Sequence, residues 1–209
     1  MAAFTGINIR CLRAERLVLD AAEFRLADGG ALILKGANGS GKSTLLRLMA
    51  GLMRPQSGQL LWDGVDIADD AQVHNRRMVY VGHADAIKPL LSVYENIAFW
   101  AALSGHAGQT PEQAMQTFAI EHLGGLPARY LSAGQRRRVG LCRALTQGAA
   151  LWLLDEPTTA LDQGTAEVLA GVIEQHRRSG GMVVISTHGD LSLEDTEMLT
   201  LDHNRALSA

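Results

Sequence analysis

With 209 residues, 47% of them apolar and 20% charged, the chain can bury one full core and leaves room for a small inserted subdomain. A formal net charge of -3 argues against a nucleic-acid partner or an anionic-membrane surface, and the short run Arg136-Arg137-Arg138 does not change that. Cys11 and Cys142 stand far apart without metal-ligand spacing, and neither a membrane-spanning apolar run nor a signal-peptide pattern is present. The expected class is a reduced cytoplasmic protein, which must borrow a spanning partner if it works at a membrane.

In chain order, Leu17-Val18-Leu19 and Glu23-Phe24-Arg25-Leu26 alternate in part, and Asp28-Gly29-Gly30 makes a turn. Residues 1–30 therefore read as short strands of a small antiparallel edge sheet. Ala31-Leu32-Ile33-Leu34 is a buried strand, and Leu45, Leu48, Met49 and Leu52 fall on one face of a following helix. Gly51 and Pro55 stop that helix, 57–62 is a strand ending in the tight Asp63-Gly64 turn, and 78–81 is the next strand. Over 85–145 strand signals vanish; 91–103 and 111–122 carry helical spacing on either side of a loop at 104–108. Leu151-Trp152-Leu153-Leu154 is a strand, 164–178 is a helix with Val168, Leu169, Val172 and Ile173 on one face, 182–186 is a strand, and 198–201 is a final edge strand. The alternation predicts an α/β fold: a parallel-sheet core with right-handed crossovers, an antiparallel edge sheet and an inserted helical subdomain. Residues 1–209 form one domain, with the core over 1–84 and 146–209 and the helical part over 85–145.

The turn Gly36-Ala37-Asn38-Gly39-Ser40-Gly41-Lys42-Ser43-Thr44 fits the phosphate-loop pattern of Gly, four residues, then Gly-Lys-Ser, and lies between a strand and a helix as that pattern requires. Its glycines let backbone N–H groups turn inward, and a helix starting near Gly41 aims its positive end at the same point, which makes a polyphosphate seat. Lys42 then reaches the β- and γ-phosphates, and the Ser43 hydroxyl ligates Mg²⁺. Asp155, at the carboxyl end of the strand after Leu151, faces the same crevice and holds the Mg²⁺ shell. Glu156 beside it is the candidate base for an attacking water.

Leu131-Ser132-Ala133-Gly134-Gln135 precedes that strand, Ala160-Leu161-Asp162 follows it, and His188 lies beyond the 182–186 strand. With these the chain resembles, over nearly its whole length, the ATP-binding subunits of ABC transporters. That resemblance makes ATP and Mg²⁺ the ligands, 131–135 the signature motif, Asp162 part of the D-loop that communicates across an interface, and His188 the switch histidine on the γ-phosphate. It implies a head-to-tail homodimer, in which each ATP is clamped between Lys42 of one copy and Ser132 of the other. Ser132 and Gly134 open a helix whose first amides form the second anion seat.

Two positions depart from the usual pattern. Where most such ATPases place an aromatic ring on adenine, the matching residue is Arg13, whose planar guanidinium can also stack. Where most have a Gln at the end of the 78–81 strand, this chain has Gly82-His83, and a neutral imidazole offers one lone pair to a metal-bound water or to the partner. Together with Arg54-Pro55, Leu61-Trp62-Asp63-Gly64, Leu91-Ser92-Val93-Tyr94-Glu95-Asn96 and the 132–138 run, these features resemble the ATPase of the cytochrome c maturation system, the haem exporter ATP-binding subunit. The resemblance implies a peripheral protein on the cytoplasmic face of the inner membrane, docked on integral membrane permease subunits, with haem handled elsewhere and no nucleic acid involved. The single histidines His74, His106, His122, His176 and His203 read as surface residues. Ile87, Leu90 and Tyr94 are candidates to seat a helix of the membrane partner. An ABC ATPase with another cargo shares every catalytic residue; a soluble non-transport ABC protein is the more distant alternative.

Overall fold

The computed structural model describes residues 2–13, 16–105, 107–187, 189 and 191–201. Its elements run β1 Ala3–Arg13, β2 Arg16–Ala27, β3 Ala31–Lys35, α1 Lys42–Met49, β4 Ser57–Trp62, β5 Val65–Asp66, α2 Ala71–Arg77, β6 Met78–Val81, α3 Val93–Leu103, α4 Pro111–Thr117, α5 Ala133–Gln147, β7 Leu151–Asp155, α6 Gln163–Arg178, β8 Met182–Ser186 and β9 Thr196–Thr200. They form an antiparallel sheet in the order β2-β1-β4-β5 and a parallel sheet in the order β6-β7-β8-β3-β9. The α/β class and both sheets agree with the sequence reading. The amino-terminal strands, however, are long, at 11 and 12 residues, because bulges let the hairpin continue past irregular positions such as Asn8 and Ala21.

The parallel strands are apolar throughout because both their faces are covered. Leu32, Leu34, Leu151, Leu153, Met182 and Val184 point into a cluster shared with α1 and the antiparallel sheet. Ala31, Ile33, Val79, Val81, Trp152, Leu154, Val183 and Ile185 point to the opposite side, into a cluster with residues of α3, α4, α5 and α6. Eight residues are too few for a helix to stand alone in water, so α1 depends on this packing. Its Leu45, Leu46, Leu48 and Met49 are sealed between the two sheets. Each such burial stabilises by about 1.5–3 kcal/mol.

Helix ends explain where the pattern misleads. The sequence reading put Leu52 on the apolar face of α1, but Gly51 adopts φ 67° and the amides of Gly51 and Leu52 return to the carbonyls of Leu48 and Arg47. The helix therefore closes in a Schellman turn and Leu52 is left 62% exposed. The second expected helix, over 111–122, stops at Thr117 by the same device, with Ala119 in the left-handed position and the Ala119 and Ile120 amides bonded to Gln116 and Met115. His122 instead falls in a short 3-10 turn. Leu91 lies just outside α3, whose first turn is closed by a capping box between Ser92 and Glu95. On α6 the face is carried by Leu169 and Ile173, whereas Val168 is exposed. Arg177 turns inward from the end of α6 to the carbonyls of Gly29, Glu194 and Asp195, tying β9 to the β2–β3 turn.

Of the histidines read as surface residues, His106 and His203 lie outside the described residues, and His74 is buried at 2% exposure. Its Nε2 lies 2.8 Å from the Met49 carbonyl and its Nδ1 has no partner, an arrangement that suits the neutral ring. Burial lowers its pKa from 6.5, opposed by the Met49 contact, and burial lowers that of His176 as well, which stacks on Trp152. The unfolded chain therefore takes up these protons at higher pH than the folded one, so stability is full above the ordinary histidine value and declines as pH falls below it. Calorimetric melting is expected to drop from about pH 7 to about pH 5, with a shallower slope in His74→Gln. An unchanged slope in that variant would overturn this role of His74.

Candidate functional site

The site lies at the carboxyl ends of β3 and β7. Beyond β3 the chain must turn sharply enough to start α1 at Lys42, and two glycines make this possible. Gly36 has φ 143° and a Cβ there would meet the Leu201 carbonyl oxygen at 2.4 Å; Gly41 has φ 104° and a Cβ would press on Val18 and Leu19 of β2 at 2.9–3.0 Å. Ala37, Asn38 and Gly39 form the exposed crest, and Ser40 is buried beneath it. Gly41 occupies the cap position of α1, and no side chain caps that end. The first helical amides thus remain available to an anion.

Lys42 is buried at 6% exposure and its Nζ donates to the carbonyls of Gly36 at 2.8 Å and Ala37 at 3.1 Å, which holds the ammonium inside the loop. Thr44 is buried beside it. Across from the loop, Asp155 is 1% exposed. Its Oδ1 accepts from Ser43 Oγ at 3.1 Å and from Ser186 Oγ at 2.6 Å, while the Tyr80 hydroxyl stands 3.5 Å from Oδ2. Burial first, then the Asp155 charge, raises the Tyr80 pKa against the pull of Arg47, so the phenol stays a donor. Ser43 hydroxyl and Asp155 carboxylate are hard oxygen donors set side by side. They fit Mg²⁺, which binds through one or two such groups plus phosphates rather than through a protein cage. Among the described residues no cluster of three or more His, Cys, Asp or Glu forms such a cage.

Glu156 follows directly, in a left-handed conformation with φ 49°. Its amide is held by the Ser186 hydroxyl and carbonyl, both at 3.0 Å, and Thr159 Oγ1 lies 3.4 Å from its Oε2. Glu156 shares one cavity with Asn38, Gly39, Gly41, Lys42, Ser43 and Thr44, and Arg13, Val18 and Arg47 complete the wall. Arg13, at the end of β1, is thus brought to the phosphate-loop cavity, and the sequence reading missed Val18, Arg47 and Ser186. Only the last had a signal, its place at the end of a buried strand next to Thr187.

The signature residues are not in that wall. Ser132 caps α5, accepting from the Gln135 amide at 3.2 Å, and the Gln135 Oε1 accepts from the Ser132 amide at 2.9 Å. Ser132 and Ala133 are exposed. Gly134 lies against the 160–162 segment, where a Cβ would come within 2.7 Å of the Ala160 carbonyl oxygen. Asp162 caps α6 through the Thr165 amide at 2.8 Å and also pairs with Arg138 of α5. The Thr165 bonds first, and Arg138 after them, hold its carboxyl below the usual range. His83 is exposed on the loop after β6, and His188 lies outside the described residues.

The ABC transporter family model matches residues 19–159. The chain is 53% identical over 203 residues to the cytochrome c biogenesis ATP-binding export protein CcmA of Rhodospirillum rubrum, covering 97% of this chain and 87% of that relative. It is 47% identical over 203 residues to the protein of the same description in Paramagnetospirillum magneticum, covering 95% and 94%. Among solved structures, the dimeric ATP-binding cassette MJ0796 in a post-hydrolysis state bound to ADP and Pi has the same fold, with a TM-score of 0.84 over 97% of each chain at 23% identity. The phosphate loop, the paired carboxylates and these relatives place the chain in the ABC transporter family, among the ATP-binding subunits of CcmA type.

Proposed function

We propose that the chain is the ATP-hydrolysing subunit of an export complex in cytochrome c biogenesis, coupling hydrolysis to the handling of haem by membrane partners and to release of the loaded haem chaperone. The observation that carries the ATPase reading is one cavity holding Lys42, Ser43 and Glu156, with Asp155 3.1 Å from Ser43. Lys42 and the first amides of α1 bind the phosphates, Ser43 and Asp155 hold Mg²⁺, and Glu156 takes the proton of the attacking water. Bound Mg²⁺ neutralises charge on the phosphate oxygens. The second half of each nucleotide site comes from Ser132, Gly134 and Gln135 of another copy, since a chain does not bring its own signature to its own phosphate loop. His188, outside the described residues, is the candidate contact to the γ-phosphate, and Asp162 is the residue that communicates across the interface. Arg13 stacks on the base, and His83 contacts a metal-bound water or the partner.

The membrane partners are integral permease subunits of the CcmB and CcmC type, and the chain sits peripherally on the cytoplasmic face of the inner membrane. Residues 85–145 form the unit that meets them, against a core of 1–84 and 146–209. Among the described residues no helix is long and apolar enough to cross a membrane. Leu90, just before α3 and 78% exposed, and Tyr94, in its first turn and 41% exposed, present an apolar surface, whereas Ile87 packs partly on the core. Affinity purification from membranes followed by mass spectrometry is expected to recover haem-handling integral subunits, and Leu90→Asp to reduce that recovery about tenfold or more, as charge in an apolar contact is strongly unfavourable. Recovery of ribosomes or nucleic acid in their place would overturn the export reading.

A further inference from the structure

Arg137 lies in the second turn of α5 and is 4% exposed. A guanidinium taken out of water has to find partners for every N–H. Its Nε donates to the Pro157 carbonyl at 3.2 Å. One terminal nitrogen donates to the Gly82 carbonyl at 2.8 Å and to Asp85 Oδ1 at 3.0 Å, and the other to the carbonyls of Asp155 at 2.7 Å and Glu156 at 2.9 Å. The group has five donors in one rigid plane, and here each has an acceptor.

Those acceptors come from two segments, the end of β7 with the residues after it and the loop after β6. Three are consecutive carbonyls, from the last residue of β7 and the two that follow it, and include both carboxylate residues of the site; two belong to the 82–85 loop after β6, which carries His83. Glu156 needs such support, because φ 49° is unfavourable for a residue with a side chain. Ser186 fixes its amide, and Arg137 fixes its carbonyl. On the far side, Asp85 is drawn against α5 where Gly140 leaves room, since a Cβ at 140 would stand 3.2 Å from Asp85 Oδ1.

We infer that Arg137 is a positioning residue for hydrolysis, which sets the backbone of Glu156 and locks it to the 82–85 loop so that displacement of that loop moves the base. The inference rests on Glu156 being the base. A lysine cannot replace the group, because three donors from a single point do not span two segments.

The test uses the full-length chain, with rates expressed per nucleotide bound so that a misfolded fraction does not enter. Arg137→Lys is expected to lower kcat on the order of 10- to 100-fold, the effect of a misplaced catalytic group, with KM for Mg-ATP within about twofold. Asp85→Ala removes one contact of the five and is expected to lower kcat about three- to tenfold. The double variant should lose no more than Arg137→Lys alone, since both act through one network. Parental kcat in either folded variant, a loss carried by KM, or additive losses would overturn the coupling. If Arg137→Lys fails to fold, Asp85→Ala decides by itself. Glu156→Gln is measured alongside: turnover in that variant removes the base assignment, whereas an inactive Glu156→Gln beside a fully active Asp85→Ala removes only the coupling.

Discussion

Glu156→Gln is expected to abolish steady-state ATP turnover, by about 100-fold or more, while ATP still binds, so that the chain accumulates as an ATP-bound dimer. The amide is nearly isosteric with the carboxylate and can keep the contact from Thr159, 3.4 Å away, but it cannot take a proton from water. Nothing that holds the phosphates is touched: Lys42 remains bonded to the carbonyls of Gly36 and Ala37, and Ser43 to Asp155. The measurement is phosphate release together with size-exclusion chromatography and light scattering in the presence of Mg-ATP. A dimer that persists only with ATP is the expected outcome, and turnover at the parental rate would remove Glu156 from its role.

Lys42→Ala is expected to lose turnover by a comparable factor, about 100- to 1,000-fold, but for a different reason. Among the described residues the ammonium is the one lysine charge in the cavity wall, beside Arg13 and Arg47, and its removal strips the phosphates of a charge-assisted donor in the ground state and the transition state alike. Nucleotide affinity should therefore fall together with the rate, and no ATP-dependent dimer should form. Equilibrium binding of a fluorescent ATP analogue separates the two variants: unchanged in Glu156→Gln, weakened at least about tenfold in Lys42→Ala. Equal affinity in both would mean that Lys42 does not reach the phosphates.

Much of this arrangement was legible in the residues. A phosphate loop demands a strand before it and a helix after it, and the apolar runs of β3, β7 and β8 cannot be half-exposed strands. The parts that escaped notice share a physical character. The stop at Ala119 and the turn at Glu156 place ordinary residues in left-handed backbone, where the usual glycine signal is absent. Arg137 sits within three consecutive arginines, and only the fold distinguishes the one turned inward with five partners from Arg136 and Arg138. His74 gives no hint of burial in its own sequence neighbourhood, because the groups that enclose it, Phe4 and Met49, come from other elements. Arg47 and Val18 reach the cavity from α1 and β2, a convergence that spacing along one segment cannot reveal.

The cavity has two owners. Its phosphate side belongs to the β3–α1 junction, while Arg13 and Val18 belong to the antiparallel hairpin, which meets that junction at Gly41 and packs with α1 in one apolar cluster. With Arg13 proposed to stack on the base, substitutions at the cavity edge of the hairpin are expected to alter nucleobase selectivity while Lys42, Ser43, Asp155 and Glu156 are unchanged. An engineer wishing to make this motor run on a different purine would begin there and leave every catalytic atom in place.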